Sequence, residues 1–409
     1  MKQRIKNILR PPYQFVRYVA LRFIAHRQFK AIKLNDGLNI ERVTSLSTSF
    51  FGYYNVSPEN KKGQILFCSP IAGTDRVALY YRDGDKDMLI GETAAHNWQQ
   101  GCMSQWGYTN TTRAYYNRYN NATGTYECAV YDTEQQSEID VLPMPINALS
   151  KQEDYALSLN YDRLAVMRPD YGYFCHKNIE LPSNDTDGIW HIDTATKETT
   201  LIISLQQLID LKPVETMVGA THKVNHIDIS PDGSRFMFLH RWVGPKGRFM
   251  RLITANADGS DLYILNGDKM TSHSYWVNNT HIISFCHTPE TGDAYVMFED
   301  KTANHFKISQ KLPVTDGHPS TIRGGKWTVT DTYPGHDAMS RLYLYNIATD
   351  NVICLGRFYQ PLKFKGTGRI DLHPKWNMAG TKVYFESGHN GRRNLYAINI
   401  SNLIKETVS

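Results

Sequence analysis

From about residue 36 onward, apolar and polar residues alternate along short segments that are separated by glycine, asparagine and aspartate turns. This period of two predicts strands with one face packed in a core. The expected hairpins cover 63–81, 113–131, 161–167 with 188–191, 226–265, 274–299, 326–347 and 382–400. One short helix is expected near 201–211, and a strand near 42–51 is expected to pair with the last hairpin. The pattern therefore predicts an all-β chain of about seven similar units.

One strand–turn–strand phrase is repeated in the chain. The segment 226–240, with the turn Ser-Pro-Asp-Gly at 230–233, is similar to 371–386, and a weaker relative covers 318–331. Hairpin repeats spaced by tens of residues are typical of a β-propeller, here of about seven blades. Because the innermost strand of each blade lines one central channel, residues at equivalent places in the repeats are expected to meet there.

The first residues follow a different pattern. Phe15, Val19 and Phe23 recur at near-helical spacing with arginines between them. This predicts a basic amphipathic helix in a segment 1–36, followed by the propeller domain at 37–405. Such a helix lies on a membrane surface or a partner, or else packs across the propeller. It is too charged for a signal peptide and too short to span a bilayer.

Charge and cysteine content narrow the setting. The net charge is +5, but residues 1–33 carry nine Lys or Arg and no Asp or Glu, so the remainder is slightly acidic. We therefore expect peripheral contact with an anionic membrane through residues 1–33 and no nucleic-acid binding. Six cysteines without CxxC spacing indicate free thiols in a reducing compartment. The expected location is cytoplasmic, with peripheral attachment to the inner membrane as a variant of it.

Histidines occupy equivalent positions in the repeats. His226, His318 and His373 each begin a unit, and His273 precedes another. Asp371 is two residues before His373 and so faces the same side of a strand. Neutral imidazoles and a carboxylate are good ligands for a divalent metal. The pattern predicts a metal site of His273, His318, Asp371 and His373; alternatively, each histidine satisfies a local backbone hydrogen bond.

Other polar residues are expected in the channel or around it. Nucleophile elbows, Walker A loops, HExxH motifs and CxxC pairs do not occur, which argues against serine hydrolysis, nucleotide hydrolysis and zinc peptidase chemistry. Two phrases, 51–58 and 97–106, instead carry polar residues where strands begin. Candidates for substrate binding are His226, Tyr54, Gln99, Gln100 and Gln105. Buried hydrogen-bond networks between blades are the alternative for these side chains.

The ordered set of His226, the turn at 230–233, His240, His273 and His373-Pro resembles the oligogalacturonate lyase family over about 225–400. That family cleaves uronate oligosaccharides by metal-dependent β-elimination. The resemblance implies a divalent metal, Mn²⁺ above all, with His240 as the base and His273 and His373 as metal ligands. The family closes its site with a His-x-His pair, where this chain has Asp371 and His373. Lys223 and Arg241 correspond by position only to the family's catalytic arginine.

Arginines near the end of the chain are candidates for binding an acidic oligosaccharide, because guanidinium groups bind carboxylates bidentately. They are Arg369, Arg392 and Arg393, although the last two also suit a plain solvated turn. Three functions fit these features: a lyase for acidic oligosaccharides, a non-catalytic propeller of surface-polysaccharide biosynthesis that binds a glycan or a partner enzyme, and another glycan-modifying enzyme. The fold alone does not separate them.

Overall fold

The computed structural model describes residues 31–267, 270–322 and 324–404, which form seven antiparallel blades around one axis. This confirms the predicted seven-bladed β-propeller. Blade by blade, from the innermost strand outward, the strands are β3–β5 (Ile65–Pro70, Val77–Asp83, Lys86–Thr93), β6–β9 (Gln105–Trp106, Arg113–Asn120, Thr125–Asp132, Ser137–Leu142), β10–β13 (Ala148–Leu149, Tyr155–Leu159, Gly188–Asp193, Thr199–Ser204), β14–β17 (Thr221–Ile229, Arg235–Gly244, Gly247–Asn256, Tyr263–Asn266), β18–β21 (Thr271–Trp276, His281–Thr288, Gly292–Glu299, His305–Lys307), β22–β25 (Ser320–Ile322, Trp327–Asp331, Met339–Asn346, Asn351–Tyr359) and β26–β28 (Lys375–Trp376, Lys382–Ser387, Asn394–Asn399).

The beginning of the described chain closes the ring. Strand β2 (Ile40–Arg42) pairs with β28 as the outermost strand of the seventh blade, close to the predicted closing strand at 42–51. Strand β1 (Ile32–Leu34) pairs with β25 and gives the sixth blade a fifth strand. Two blade edges that would otherwise expose unpaired backbone groups are thereby covered. The predicted amphipathic helix lies outside the described residues as far as residue 30.

Two short helices interrupt the strands. Helix α1 covers Tyr161–Met167, where a strand was predicted wrongly. Asn160 caps it by accepting a hydrogen bond from the Arg163 amide at 2.9 Å, and the buried side chains follow helical spacing. Helix α2 (Leu205–Leu211) begins with a capping box formed by Ser204 and Gln207, and falls within the predicted 201–211. Neither helix in the described part of the chain has the length and apolar character needed to cross a bilayer.

All six cysteines are free thiols, as predicted, and Cys68 and Cys102 lie closest, with their sulfur atoms 3.7 Å apart. The core runs between the blades and consists mainly of aliphatic and aromatic side chains of the middle strands. This packing leaves the residues at the start of each innermost strand to face the axis.

Candidate metal centre in the channel

Four histidines meet at one end of the channel. The ring centroids of His273 and His318 are 3.9 Å apart, those of His318 and His373 4.3 Å, and those of His226 and His273 6.1 Å. Each histidine lies in, or just before, the innermost strand of its own blade, β14, β18, β22 or β26. The propeller thus brings together the residues that the repeats had placed at equivalent positions.

Three of the predicted metal ligands form a tight group. Ligand atoms of His318, Asp371 and His373 lie within 4.8 Å of one another, and all three residues are buried. Both ring nitrogens of His373 and Nε2 of His318 lack hydrogen-bond partners within the described ranges. Burial holds the pKa of His373 well below its usual value, so that its imidazole is neutral and able to ligate. Unpaired imidazole nitrogens facing a carboxylate fit a divalent cation.

One carboxylate that the sequence reasoning missed fixes two of these ligands. Oδ1 of Asp331 accepts hydrogen bonds from the backbone amide and Nδ1 of His318, both at 2.8 Å, and Oδ2 accepts one from the His373 amide at 3.0 Å. Burial opposes the imidazolium, but Asp331 outweighs it and raises the pKa of His318. A carboxylate that orients a histidine ring in this way is a regular feature of metal sites.

The fourth predicted ligand, His273, stands beside this group. Its Nδ1 is 3.1 Å from Oδ1 of Asp316, a further carboxylate that the sequence analysis did not single out. The ladder between β18 and β19 shifts register between Thr271 and Ser274, and this bulge lies at His273. His273 therefore contacts the ligand group through its ring, while Asp316 holds its other side.

His226 occupies a strained position that aims its ring at the same space. Its φ is +58°, at the point where the pairing of β14 shifts between Asn225 and Asp228, and His373 has a φ of +44°. Residues other than glycine adopt such angles at a cost of about 1 kcal/mol or more, and they concentrate at functional sites. The His226 ring stacks on Tyr53 with centroids 5.1 Å apart. Burial, followed by the nearby Arg241 charge, lowers the pKa of His226 well below its usual value.

Tyr54 crosses the channel beyond the histidines. Its hydroxyl donates to the Ser274 carbonyl at 2.6 Å and accepts from the Ser274 amide at 3.0 Å. A cavity of about 830 Å³ follows farther along the axis, lined by Gln105 and by later residues of the inner strands such as Trp276 and Trp376. Tyr54, predicted to bind substrate, thus separates the histidine end of the channel from this wider cavity.

A buried network holds the segment that carries Tyr53 and Tyr54. Lys375 Nζ donates to the Gly52 carbonyl at 2.9 Å, and the Phe51 amide donates to Glu386 at 3.3 Å. Arg393, predicted to bind substrate, instead pairs with Glu386 at 2.7 Å and donates to backbone carbonyls. Its partner in prediction, Arg392, is exposed in the turn before β28. In this structure Arg393 positions the channel segment, and Arg392 lies outside the channel.

Arg369 connects loops of two distant blades. Its guanidinium binds Asp371 at 2.8 Å and Asp170 of the third blade at 2.7 Å. Gln99 donates to the Arg369 carbonyl at 3.2 Å, while Gln100 lines a small space beside His226. The predicted carboxylate receptor Arg369 is therefore already occupied by two carboxylates of the chain itself.

The structure does not bring His240 into the cluster. It lies in β15, the second strand of its blade, with Nε2 2.9 Å from Nδ1 of His222, and its Nδ1 accepts from Arg251 at 3.2 Å. Arg251 continues to the carbonyls of Leu208 and Lys212, at the end of α2. Both ring nitrogens of His240 are used in a buried structural link, which leaves neither free to act as a base in this arrangement.

Lys223 and Arg241 form a cross-strand pair in the fourth blade, next to His226. They line a cavity of about 350 Å³ together with Arg168 and Arg248. Burial, and then the three arginines, lower the pKa of Lys223 to about 7. These two predicted residues thus belong to a basic pocket beside the histidine cluster.

Comparisons with known proteins agree on the fold. No protein-family profile and no curated protein matches the chain. Among solved structures, it is similar to an oligogalacturonate lyase from Vibrio parahaemolyticus, with a TM-score of 0.62 over 91% of this chain and 99% of that one at 14% identity. It is also similar to an oligogalacturonate lyase in complex with manganese, with a TM-score of 0.61 over 88% and 96% of the two chains at 14% identity. The resemblance predicted from the sequence is confirmed for the fold, which at this identity is all that the similarity shows.

Proposed function

We propose that this propeller is a metal-dependent lyase that cleaves uronate-containing oligosaccharides by β-elimination at the histidine end of its channel. The observation that carries the proposal is the group of His318, Asp371 and His373, whose buried ligand atoms lie within 4.8 Å of one another and include unpaired imidazole nitrogens. The similar fold of the manganese-containing oligogalacturonate lyase supports the choice of Mn²⁺ and of a uronate substrate. Mixed nitrogen and oxygen ligands suit that ion.

His318, Asp371 and His373 would hold the cation, which when bound withdraws charge from the uronate carboxylate and so acidifies the C5 proton. His226 is the base in this proposal: its Nδ1 is buried without a partner, and its low pKa keeps the ring neutral and able to accept a proton. This assignment replaces His240, whose nitrogens are both engaged.

Tyr53 is placed to complete the elimination. Its hydroxyl has no hydrogen-bond partner among the described residues, and burial raises its pKa well above the usual value, so it retains its proton. As His226 removes the C5 proton, the C4–O4 bond breaks, a C4–C5 double bond forms, and the departing oxygen takes the Tyr53 proton. The stacked rings of His226 and Tyr53 provide the base and the acid side by side.

The test combines metal analysis of the purified protein with ultraviolet detection of unsaturated uronate products from a panel of acidic oligosaccharides. We expect one bound divalent ion and product formation that requires Mn²⁺ and stops with chelator. His226→Gln should lower the turnover number by about 100-fold or more, whereas the control His287→Gln, an exposed histidine on the fifth blade, should not.

Two results would count against this proposal. Bound metal without product from any uronate would contradict the lyase reaction and leave the metal site. Full activity in His226→Gln, with loss of activity in a folded His240→Gln, would return the role of base to His240. Absence of both metal and product would leave a binding propeller.

A further inference from the structure

The fourth blade carries a second cluster of charge that the lyase chemistry does not use. Lys223 and Arg241 are only 4% and 8% exposed, and no carboxylate among the described residues forms an ion pair with either of them. Lys223 Nζ has one long contact, 3.4 Å to the Met167 carbonyl. Burying a cation without a counter-charge is unfavourable, since desolvation is not offset by attraction. The pocket is therefore incomplete as the chain stands.

Unpaired guanidinium groups aim at the same space. The buried Nε atoms of Arg241 and Arg168 both lack a hydrogen-bond acceptor within the described ranges. Arg168 has one distant carboxylate, Asp170 at 3.7 Å, which also pairs with Arg369 at 2.7 Å. Three arginines and one lysine therefore face a cavity of about 350 Å³ with very little negative charge to balance them.

The shape of the pocket distinguishes two sides. Arg168, Lys223, Arg241 and Arg248 supply the charge, whereas the rings of Trp242 and Phe249, 6.0 Å apart and nearly parallel, form an apolar wall. Arg248, like the neighbouring Val243, is exposed, so the pocket opens to solvent. An anionic group attached to a less polar body fits such a site.

We propose that this basic pocket binds a tetrahedral oxyanion, a phosphate or sulfate group carried by a small molecule or glycan. A single carboxylate offers two oxygens and one negative charge, which leaves most of the cations unpaired. A tetrahedral oxyanion presents three or four oxygens and up to two charges, and guanidinium forks bind it bidentately. The site does not depend on lyase activity, because the oxyanion binds here whether or not the histidine end performs chemistry.

The test is direct binding, read from tryptophan fluorescence because Trp242 lines the pocket. Inorganic phosphate, inorganic sulfate and galacturonic acid are titrated at constant ionic strength into the parent protein and its variants. We expect saturable binding of phosphate or sulfate, with galacturonic acid at least about tenfold weaker. Lys223→Met should weaken oxyanion binding by more than about tenfold, and Arg241→Lys, which keeps the charge and loses the fork, by a smaller factor.

Lys86→Met is the matched control, since it removes one exposed lysine on the outer strand of the first blade and should bind like the parent. Without oxyanion, Lys223→Met should also melt at a higher temperature than the parent, because it relieves repulsion among buried cations; this shows independently that the variant is folded. Equal binding in Lys223→Met and the parent, or tighter binding of galacturonic acid than of phosphate and sulfate, would overturn the proposal. Preference between phosphate and sulfate identifies the source of the group.

Discussion

Two groups of histidines in this propeller have opposite surroundings. In the fourth blade, His222 and His240 bond to each other, and Arg251 bonds to His240 and anchors the pair to α2. At the channel, His318 and His373 leave three ring nitrogens without partners in the described part of the chain. All four residues are almost completely buried. Burial therefore does not separate them, whereas the count of satisfied nitrogens does.

The difference has a physical meaning. A buried polar atom that lacks a partner costs about 1–3 kcal/mol, so a fold keeps one only where something else compensates. The pair in the fourth blade has no such cost and is explained by structure alone. The channel group also includes left-handed backbone at His373, which adds to its cost. Unsatisfied and strained histidines are thus the ones that we assign to metal binding and catalysis.

The strongest way to break the comparison is to measure metal affinity in one variant from each group. His373→Leu should weaken divalent-metal binding by more than about 100-fold, since losing a direct ligand exceeds the 10–100-fold effect of losing a supporting residue. His240→Leu, which removes an equally buried histidine, should bind metal like the parent. Isothermal titration with Mn²⁺ at low temperature gives both affinities. Similar losses in the two variants would show that the contrast between the groups has no functional meaning.

Stability should respond in the opposite sense. In metal-free buffer, His240→Leu should lower the free energy of unfolding by about 2 kcal/mol, because Arg251 and His222 each lose a buried partner. His373→Leu removes two unpaired nitrogens and should leave stability unchanged or improved. Urea unfolding with chelator present measures both values. A greater loss in His373→Leu than in His240→Leu would mean that the channel histidine also has a structural role.

The sequence was sufficient for the fold and for part of the site. Alternation and repeated turns predict the propeller, and the equivalent positions of His273, His318 and His373 predict that they meet, because each blade places the start of its inner strand at the axis. His240 shows where this reasoning stopped. Its role came from the resemblance, although it lies in the second strand of a blade and not in the innermost one.

Residues outside the repeats could not be placed in this way. Asp331 binds the backbone of two blades at once, and that depends on how neighbouring blades are offset, which no local pattern encodes. The basic pocket joins Arg168, which follows α1, with Arg248 of the fourth blade. The strand predicted at 161–167 hid that link, because the cap at Asn160 and the helical spacing of buried residues outweighed the apparent alternation.

The smallest expected effect concerns the acid stability of the satisfied pair. Burial, followed by the charges of Arg251 and Arg163, lowers the pKa of His222 to about 4. Between about pH 6.5 and 4 the unfolded chain binds a proton at this residue that the native protein does not, so stability falls as the pH falls. His222→Gln retains a hydrogen-bond acceptor and cannot titrate. Between pH 7 and 5.5, the parent should therefore lose about 1 kcal/mol more unfolding free energy than this variant in urea titrations. Parallel losses in the two proteins would mean that His222 is charged in the native state, and that the pair in the fourth blade is not the neutral, fully satisfied group on which the comparison depends.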